Sequence, residues 1–262
     1  MRVKNIFIIL FTIGFAGVKL VDAKEQMKWN EQRSQHFLIY YKNAPEDFII
    51  SIEEAAEQYY TEITQNLGFT RYNNWTFDKR AKIYIYDDQD DYIHSAKQAG
   101  WSHGAVSAQK REIWTFPAAH GFFDSTLPHE LGHIVFREFV GFRARIPLWL
   151  DEGVAMYQEK AKRWGAHALV KQAMAQNQFI PLDQLMWMYL TNQTPREVVE
   201  LFYAESASIV YFLITELGEY RFVRFCQKLA NGSTFENALH LAYPHYKTIK
   251  DLNKAWVKYL EQ

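Results

Sequence analysis

The feature that most constrains this chain is the motif HELGH at residues 129–133, which opens an apolar run typical of a helix. Residues four apart on an α-helix lie on the same face, one turn above each other. The imidazole groups of His129 and His133 can therefore direct two nitrogens at one point, and Glu130 borders the same face. Two histidines beside a carboxylate that accepts the proton of a metal-activated water are typical of a catalytic zinc site.

A third ligand is needed, because a catalytic zinc usually has three protein ligands and one position for water. The segment WLDEGVAMY at residues 149–157 supplies Glu152, which lies 19 residues after His133. We therefore predict that His129, His133 and Glu152 bind one zinc ion per chain. Asp151, the residue before Glu152, either orients a ligand from behind or is exposed to solvent.

The HELGH helix and the second acidic segment together resemble the gluzincin metallopeptidases. The resemblance is to the peptidase MA-like domain and, behind it, to the catalytic domain of M1 aminopeptidases; it covers residues 82–260 and is tight over 128–157. It implies peptide bond hydrolysis at zinc, with Glu130 as the general base. It also implies an oxyanion donor from a helical lobe, for which Tyr203 is the candidate. His120, which lies just before the motif, is a second histidine side chain that could approach the metal.

The pattern of elements predicts an α+β protein. The resemblance implies the gluzincin, thermolysin-like catalytic fold, in which a small N-terminal mixed β-sheet lobe with helices precedes a central HExxH helix and a helical C-terminal lobe. We place a sheet-rich lobe at residues 24–122 and the active-site helix with the helical lobe at 123–262, together one metallopeptidase domain. The helix that contains Glu152 is predicted to extend to about Trp164.

Two further local patterns make testable predictions about the fold. Capping-box sequences predict helix starts at Thr194, Ser233 and Thr248. In folds of the gluzincin type an edge strand beside the active-site helix pairs with an extended substrate. Residues 113–116 and residues 104–107 are both candidates for that strand, and the sequence does not decide between them.

The N-terminus has the features of a secretory signal peptide. Arg2 and Lys4 precede an apolar stretch, and the small residue Ala23 fits a cleavage site, so residues 1–23 are predicted to be removed. An uncleaved signal anchor is the alternative. No later segment is expected to be long and apolar enough to span a membrane. We therefore expect an exported protein, periplasmic or extracellular, in which the single cysteine, Cys226, forms no internal disulfide.

Composition limits the classes of substrate and partner that this protein is expected to bind. The net charge of −1 provides no basic face for nucleic acid, so a peptide or protein substrate is expected. No GxMEN segment, the M1 element that recognises a free amino terminus, precedes the motif, so an endopeptidase is favoured over an aminopeptidase. Two alternatives remain: a metal-stabilised binding or assembly protein of the cell envelope with an idle site, and an exported helical adaptor without metal. The intact Glu130 disfavours the idle site, and tight zinc binding would exclude the adaptor.

Overall fold

The computed structural model describes residues 29–70, 75–96, 105–117, 121–191 and 193–262. The predicted signal peptide and His120 lie outside the described residues, so what the sequence indicates for them stays a prediction. The chain is an α+β protein with a small mixed sheet at the N-terminal side followed by helices, which confirms the predicted fold class.

Within the described ranges, five strands form one sheet in the order β1-β2-β3-β5-β4. The pairs β2–β3 and β3–β5 are parallel, whereas β1–β2 and β4–β5 are antiparallel. In β3 the residues Ala81, Ile83 and Ile85 are buried and alternate with Lys82 and Tyr84, which are partly exposed, so one face of this central strand packs against the core. The strands are β1 Asn30–Arg33, β2 Phe37–Tyr41, β3 Ala81–Ile85, β4 Ala105–Ser107 and β5 Glu112–Thr115.

The sheet order decides between the two candidate edge strands. Strand β5 has a partner on each side, so residues 113–116 have no free edge. Strand β4 is the terminal strand of the sheet, and it also contacts the helix that contains the HELGH motif. Of the two alternatives, only the segment that includes Ala105–Ser107 can therefore offer backbone groups to an extended peptide.

The first long helix illustrates how local sequence sets the ends of a helix. The first long helix follows Pro45, buries Ile49, Ile52 and Ile63 on one face, and ends before Gly68, whose φ is +70°. The helices are α1 Glu46–Asn66, α2 Gln89–Ala96, α3 Leu127–Val140, α4 Leu148–Gln158, α5 Lys160–Ala175, α6 Leu182–Leu185, α7 Arg196–Tyr211, α8 Glu219–Ala230, α9 Phe235–Ala242 and α10 Ile249–Leu260.

The capping predictions were correct at one helix and wrong at two. Thr248 forms a complete capping box with Asp251 at the start of α10. Helix α9 is capped by Thr234, one residue after the predicted Ser233. Helix α7 has Pro195 at its N-cap, because the Thr194 hydroxyl accepts a hydrogen bond from the preceding loop instead of capping the helix.

The helix that contains Glu152 is shorter than predicted. Helix α4 ends at Gln158, Glu159 is extended at φ −81° and ψ 102°, and α5 begins at Lys160. The prediction that one helix extends to about Trp164 was therefore wrong. The interruption turns the Glu159 side chain inward, where it is 2% exposed.

Helix α4 lies between α3 and α7, and glycines allow the close approach on both sides. A Cβ on Gly132 of α3 would lie 3.0 Å from the Cα of Ala155 in α4. A Cβ on Gly153 of α4 would lie 2.4 Å from the carbonyl oxygen of Ser206 in α7. Gly132 therefore allows the close approach of the helix with the histidines to the helix with Glu152, where any Cβ would force a small shift. Gly153 allows the close approach of α4 to α7, where a Cβ has no room.

One helical run in the described part of the chain, Arg196–Glu216, is long and apolar enough to cross a membrane. The expectation that no such segment follows the N-terminus was therefore wrong on length and composition. In this structure 67% of the apolar 18-residue stretch within this run is buried inside the protein. Its apolar character is explained by that position, since a helix covered on most sides needs apolar residues all round.

Candidate metal centre

The three predicted ligands converge at one point between α3 and α4. The Nε2 atoms of His129 and His133 lie 3.2 Å apart. The Glu152 carboxylate oxygen Oε2 lies 3.6 Å from the first nitrogen and 3.7 Å from the second. Among the residues that the structure describes, these three side chains form the group with the composition and spacing of a metal site.

These separations fit zinc. Ligand atoms about 2.0–2.2 Å from a tetrahedral ion lie about 3.3–3.6 Å from one another. The three separations here, 3.2, 3.6 and 3.7 Å, are close to that range. The other nitrogen of each imidazole faces a carboxylate and is therefore the protonated one. The two Nε2 atoms then direct lone pairs at the same point, an arrangement that repels unless a cation lies between them.

Each histidine has a carboxylate beside its Nδ1 atom, on the side of the ring away from the metal site. His129 Nδ1 donates to Glu159 Oε1 over 2.9 Å, and the second oxygen of Glu159 accepts from the Ser125 hydroxyl. His133 Nδ1 lies 3.3 Å from Asp151 Oδ1, and Asp151 is also paired with Arg137, whose Nη2 is 2.7 Å from Oδ2. Such carboxylates fix the tautomer and orientation of a metal-binding imidazole and raise its basicity.

Of the two alternatives for Asp151, the structure therefore shows the one in which it orients a ligand. Glu159, Ser125 and Arg137 were missed by the sequence analysis. Arg137 continues the four-residue spacing of His129 and His133, so the same helical face predicts it. Glu159 follows Glu152 by seven residues, two helical turns, but the sequence gives no indication of the break that turns it inward.

The charge around the site favours a cation. Burial lowers the pKa of His129, yet the hydrogen bonds to Glu152 and Glu159 outweigh burial and raise that pKa to about 10. The chain thus surrounds the two imidazoles with enough negative charge to hold a proton well above neutral pH. Burial raises the pKa of Glu130, the remaining carboxyl group at the site.

A cavity of about 700 Å³ opens beside the metal site. His129, Glu130 and Glu159 line one side of it, and Tyr203 from α7 lines another. Burial, followed by the negative charges of Glu152, Glu130 and Glu159, raises the pKa of the Tyr203 phenol. Its hydroxyl is therefore a neutral donor at physiological pH and lies in the field of the same carboxylates as the metal site.

The remaining histidines of the described ranges have other environments. His167 Nδ1 forms a hydrogen bond with the Ser208 hydroxyl over 2.8 Å, within the packing of α5 against α7. His36 is paired with Glu57 and stacks on Tyr60, in the sheet-rich part of the chain.

The site combines a pair of histidines, a glutamate from the next helix and the carboxyl group of Glu130 beside a cavity. This is the arrangement of a gluzincin-type metallopeptidase. The family comparison agrees, since residues 70–262 match the peptidase MA superfamily. The chain belongs to this superfamily.

Two other comparisons are less informative. No curated protein matches the sequence. The structure of yeast LTA4 hydrolase in complex with bestatin is similar, with a TM-score of 0.49 and 15% sequence identity. The similar region covers 85% of this chain and 37% of the yeast chain, so this chain spans well under half the length of that protein.

Proposed function

We propose that this protein is an exported zinc-dependent endopeptidase. The observation that supports the proposal most strongly is the convergence of His129, His133 and Glu152 at zinc spacing beside a cavity lined by Glu130. Membership of the peptidase MA superfamily supports a zinc metallopeptidase-type function. Export is proposed from the N-terminal sequence alone.

Each side chain of the site has a separate role in the proposed reaction. When bound by His129, His133 and Glu152, zinc supplies a positive charge that polarises the scissile carbonyl and makes water more acidic. The Glu130 carboxylate accepts a proton from the attacking water and delivers it to the nitrogen of the leaving amine. Glu159 and Asp151 hold the Nδ1 protons of the two imidazoles, so that both Nε2 atoms stay available as ligands.

Tyr203 is proposed as the donor to the oxyanion that develops on the scissile carbonyl. Its place in the cavity wall and its neutral hydroxyl support this role. The edge strand β4 is proposed to pair with the extended substrate, because its outer backbone groups have no partner strand within the described sheet. An edge that binds backbone at either side of the scissile bond suits an endopeptidase.

The proposal is tested by turnover of a mixed peptide library with the Glu130→Gln variant. The substitution keeps the shape of the side chain but removes its ability to accept a proton, so we expect zinc content near that of the wild type and turnover reduced at least about 100-fold. Tyr203→Phe, measured beside it, should lose about 100-fold in kcat.

Glu197→Gln on the exposed start of α7 is the matched control and should keep full activity. Full turnover by Glu130→Gln would refute the proposed base. A wild type that binds zinc but cleaves no peptide would support the alternative, an idle metal-stabilised binding protein. A loss of less than a few-fold in Tyr203→Phe would remove Tyr203 from the mechanism.

A further inference from the structure

Arg111 has a backbone conformation that favours other residue types. It follows the short turn Ala108–Lys110 between β4 and β5, and its φ of +54° and ψ of +48° lie in the left-handed region. Glycine and asparagine are the usual residues in that region, because the Cβ of most others comes too close to the following carbonyl oxygen. An arginine at this position indicates that its side chain has a role that glycine could not fill.

The guanidinium of Arg111 contacts two parts of the protein outside its own hairpin. Its Nη2 atom is paired with the carboxylate of Glu138 on α3, and its Nη1 atom donates to the carbonyl oxygen of Lys79 over 3.3 Å. The second oxygen of Glu138 accepts from the indole of Trp75, which is fully buried in the core. Glu138 therefore connects both the β4–β5 hairpin and this part of the core to the helix of the metal site.

Strand β4 has few other contacts that hold it in place. It consists of three residues, Ala105–Ser107, and within the described sheet it pairs with β5 on one side. Such a short strand, paired along one edge, is marginally stable without further contacts. The turn Ala108–Lys110 packs against α3, and the pair between Arg111 and Glu138 lies at the end of that turn. The position of β4 along α3 thus depends on this ion pair.

Helix α3 directs its histidines and Glu138 to different faces. Glu138 follows His133 by five residues, which places it about 140° further round the helix. There it contacts Arg111 and Trp75 instead of the metal site. Any movement of the hairpin along α3 would therefore move a peptide paired with β4 relative to the two histidines.

We propose that Arg111 and Glu138 are positioning residues, which hold the free edge of β4 where an extended peptide paired with it reaches the metal site. The proposal rests on the proposed peptidase function and on β4 as the strand that pairs with the substrate. Neither side chain lines the cavity beside the metal site, so both act through the backbone of β4. The pair affects substrates that are long enough to reach β4 and leaves shorter ones unaffected.

Two variants break the pair in different ways. Glu138→Gln keeps an oxygen that accepts from the Trp75 indole but removes the charge that pairs with Arg111. Arg111→Asn removes the guanidinium and introduces a residue that tolerates the left-handed conformation, so the turn should still form. For an extended peptide we expect each variant to raise KM at least about tenfold and to keep kcat within about twofold of the wild type. The reason is that pairing with β4 is lost equally from the bound substrate and from the transition state.

A blocked dipeptide amide is the control substrate, because it is too short to pair along β4. Its kcat/KM should stay within about twofold of the wild-type value in both variants. Glu112→Gln is the matched control variant, since Glu112 is next to Arg111 but pairs with Lys82 inside the sheet, over 3.6 Å, and not with α3. It should leave both substrates unaffected. An unchanged KM for the extended peptide in either pair variant, or an equal loss with both substrates, would overturn the proposal.

Hydrogen exchange measured by mass spectrometry separates this proposal from the peptidase proposal. In the zinc-loaded full chain, both pair variants should accelerate exchange of the β4 amides at least about tenfold and leave the amides of α3 unchanged. If exchange changes in this way but the wild type cleaves no peptide, the peptidase proposal fails and the role of the pair in holding β4 stands. If the wild type cleaves the extended peptide but β4 exchanges at the wild-type rate in both variants, the positioning proposal fails and the peptidase proposal stands.

Discussion

Glu159 occupies the single residue between α4 and α5, and its two oxygens contact His129 and Ser125. A carboxylate in this position does not bind the metal itself. It orients the imidazole of His129 and increases its electron density, and both effects strengthen the bond that the opposite nitrogen makes.

We predict that Glu159→Gln lowers zinc affinity about 10–100-fold, because the amide keeps the shape of the side chain but loses the charge. Competition with a chromophoric chelator measures this affinity directly. Glu197→Gln, on an exposed helix start, is the matched control and should bind zinc as the wild type does. An unchanged affinity in Glu159→Gln would mean that His129 is oriented by packing alone.

The two histidines were predictable at this scale because helical spacing places them on one face, whereas Glu152 was predicted from the acidic segment at residues 149–157. His129 and His133 are one turn apart, and the structure brings Glu152 to within 3.7 Å of both Nε2 atoms. Glu159 was not predictable, because its role depends on an interruption in a helix that the sequence presents as continuous. Tyr203 was named from a resemblance, and the structure places it in the wall of the same cavity.

At the scale of secondary structure elements, the site depends on the close packing of its helices. At Gly153 the contact is with the backbone of α7, which cannot move as a flexible side chain could. Any side chain at this position must separate α4 from α7 and shift Glu152, which is the adjacent residue.

We therefore predict that Gly153→Ala destabilises the protein by about 1–3 kcal/mol, even though alanine favours the helix itself. Urea unfolding monitored by far-UV circular dichroism measures the change. Gly165→Ala provides the opposite case, since its Cβ meets open space and stability should rise. A Gly153→Ala protein that unfolds at the same urea concentration as the wild type would contradict the close packing described here.

Some secondary structure elements and their positions could not be predicted from sequence patterns. Strands β2 and β3 were predictable from their apolar and aromatic residues. Strand β1 was missed because its sequence NEQR is polar and mostly exposed, so it exists only through pairing with β2. The position of β4 at the sheet edge depends on tertiary topology, which local patterns do not encode.

For the molecule as a whole, one buried acid couples stability to pH. Glu205 is fully buried on α7, where Oε1 accepts from the Ile180 amide over 2.9 Å and Oε2 has no partner among the described residues. Burial raises its pKa to about 8. The folded protein therefore retains a proton that the unfolded chain releases near pH 4.5, and stability falls as pH rises between those two values.

We predict that Glu205→Gln removes this component of the pH dependence. Relative to the wild type, the variant should gain stability between pH 5 and pH 8, by about 1.4 kcal/mol per pH unit at most. Urea unfolding of both proteins at matched pH values measures the difference, and the pH effects common to both cancel. A difference that is constant with pH would show that Glu205 is ionised in the folded protein.

The three-ligand site is tested directly by the zinc content of the purified protein and of Glu152→Ala, measured by inductively coupled plasma mass spectrometry. We expect close to one zinc per chain in the wild type and a large loss in the variant, because two imidazoles alone hold the ion weakly. No zinc in the wild type after reconstitution, or equal zinc in both proteins, would contradict the three-ligand site and the peptidase proposed from it.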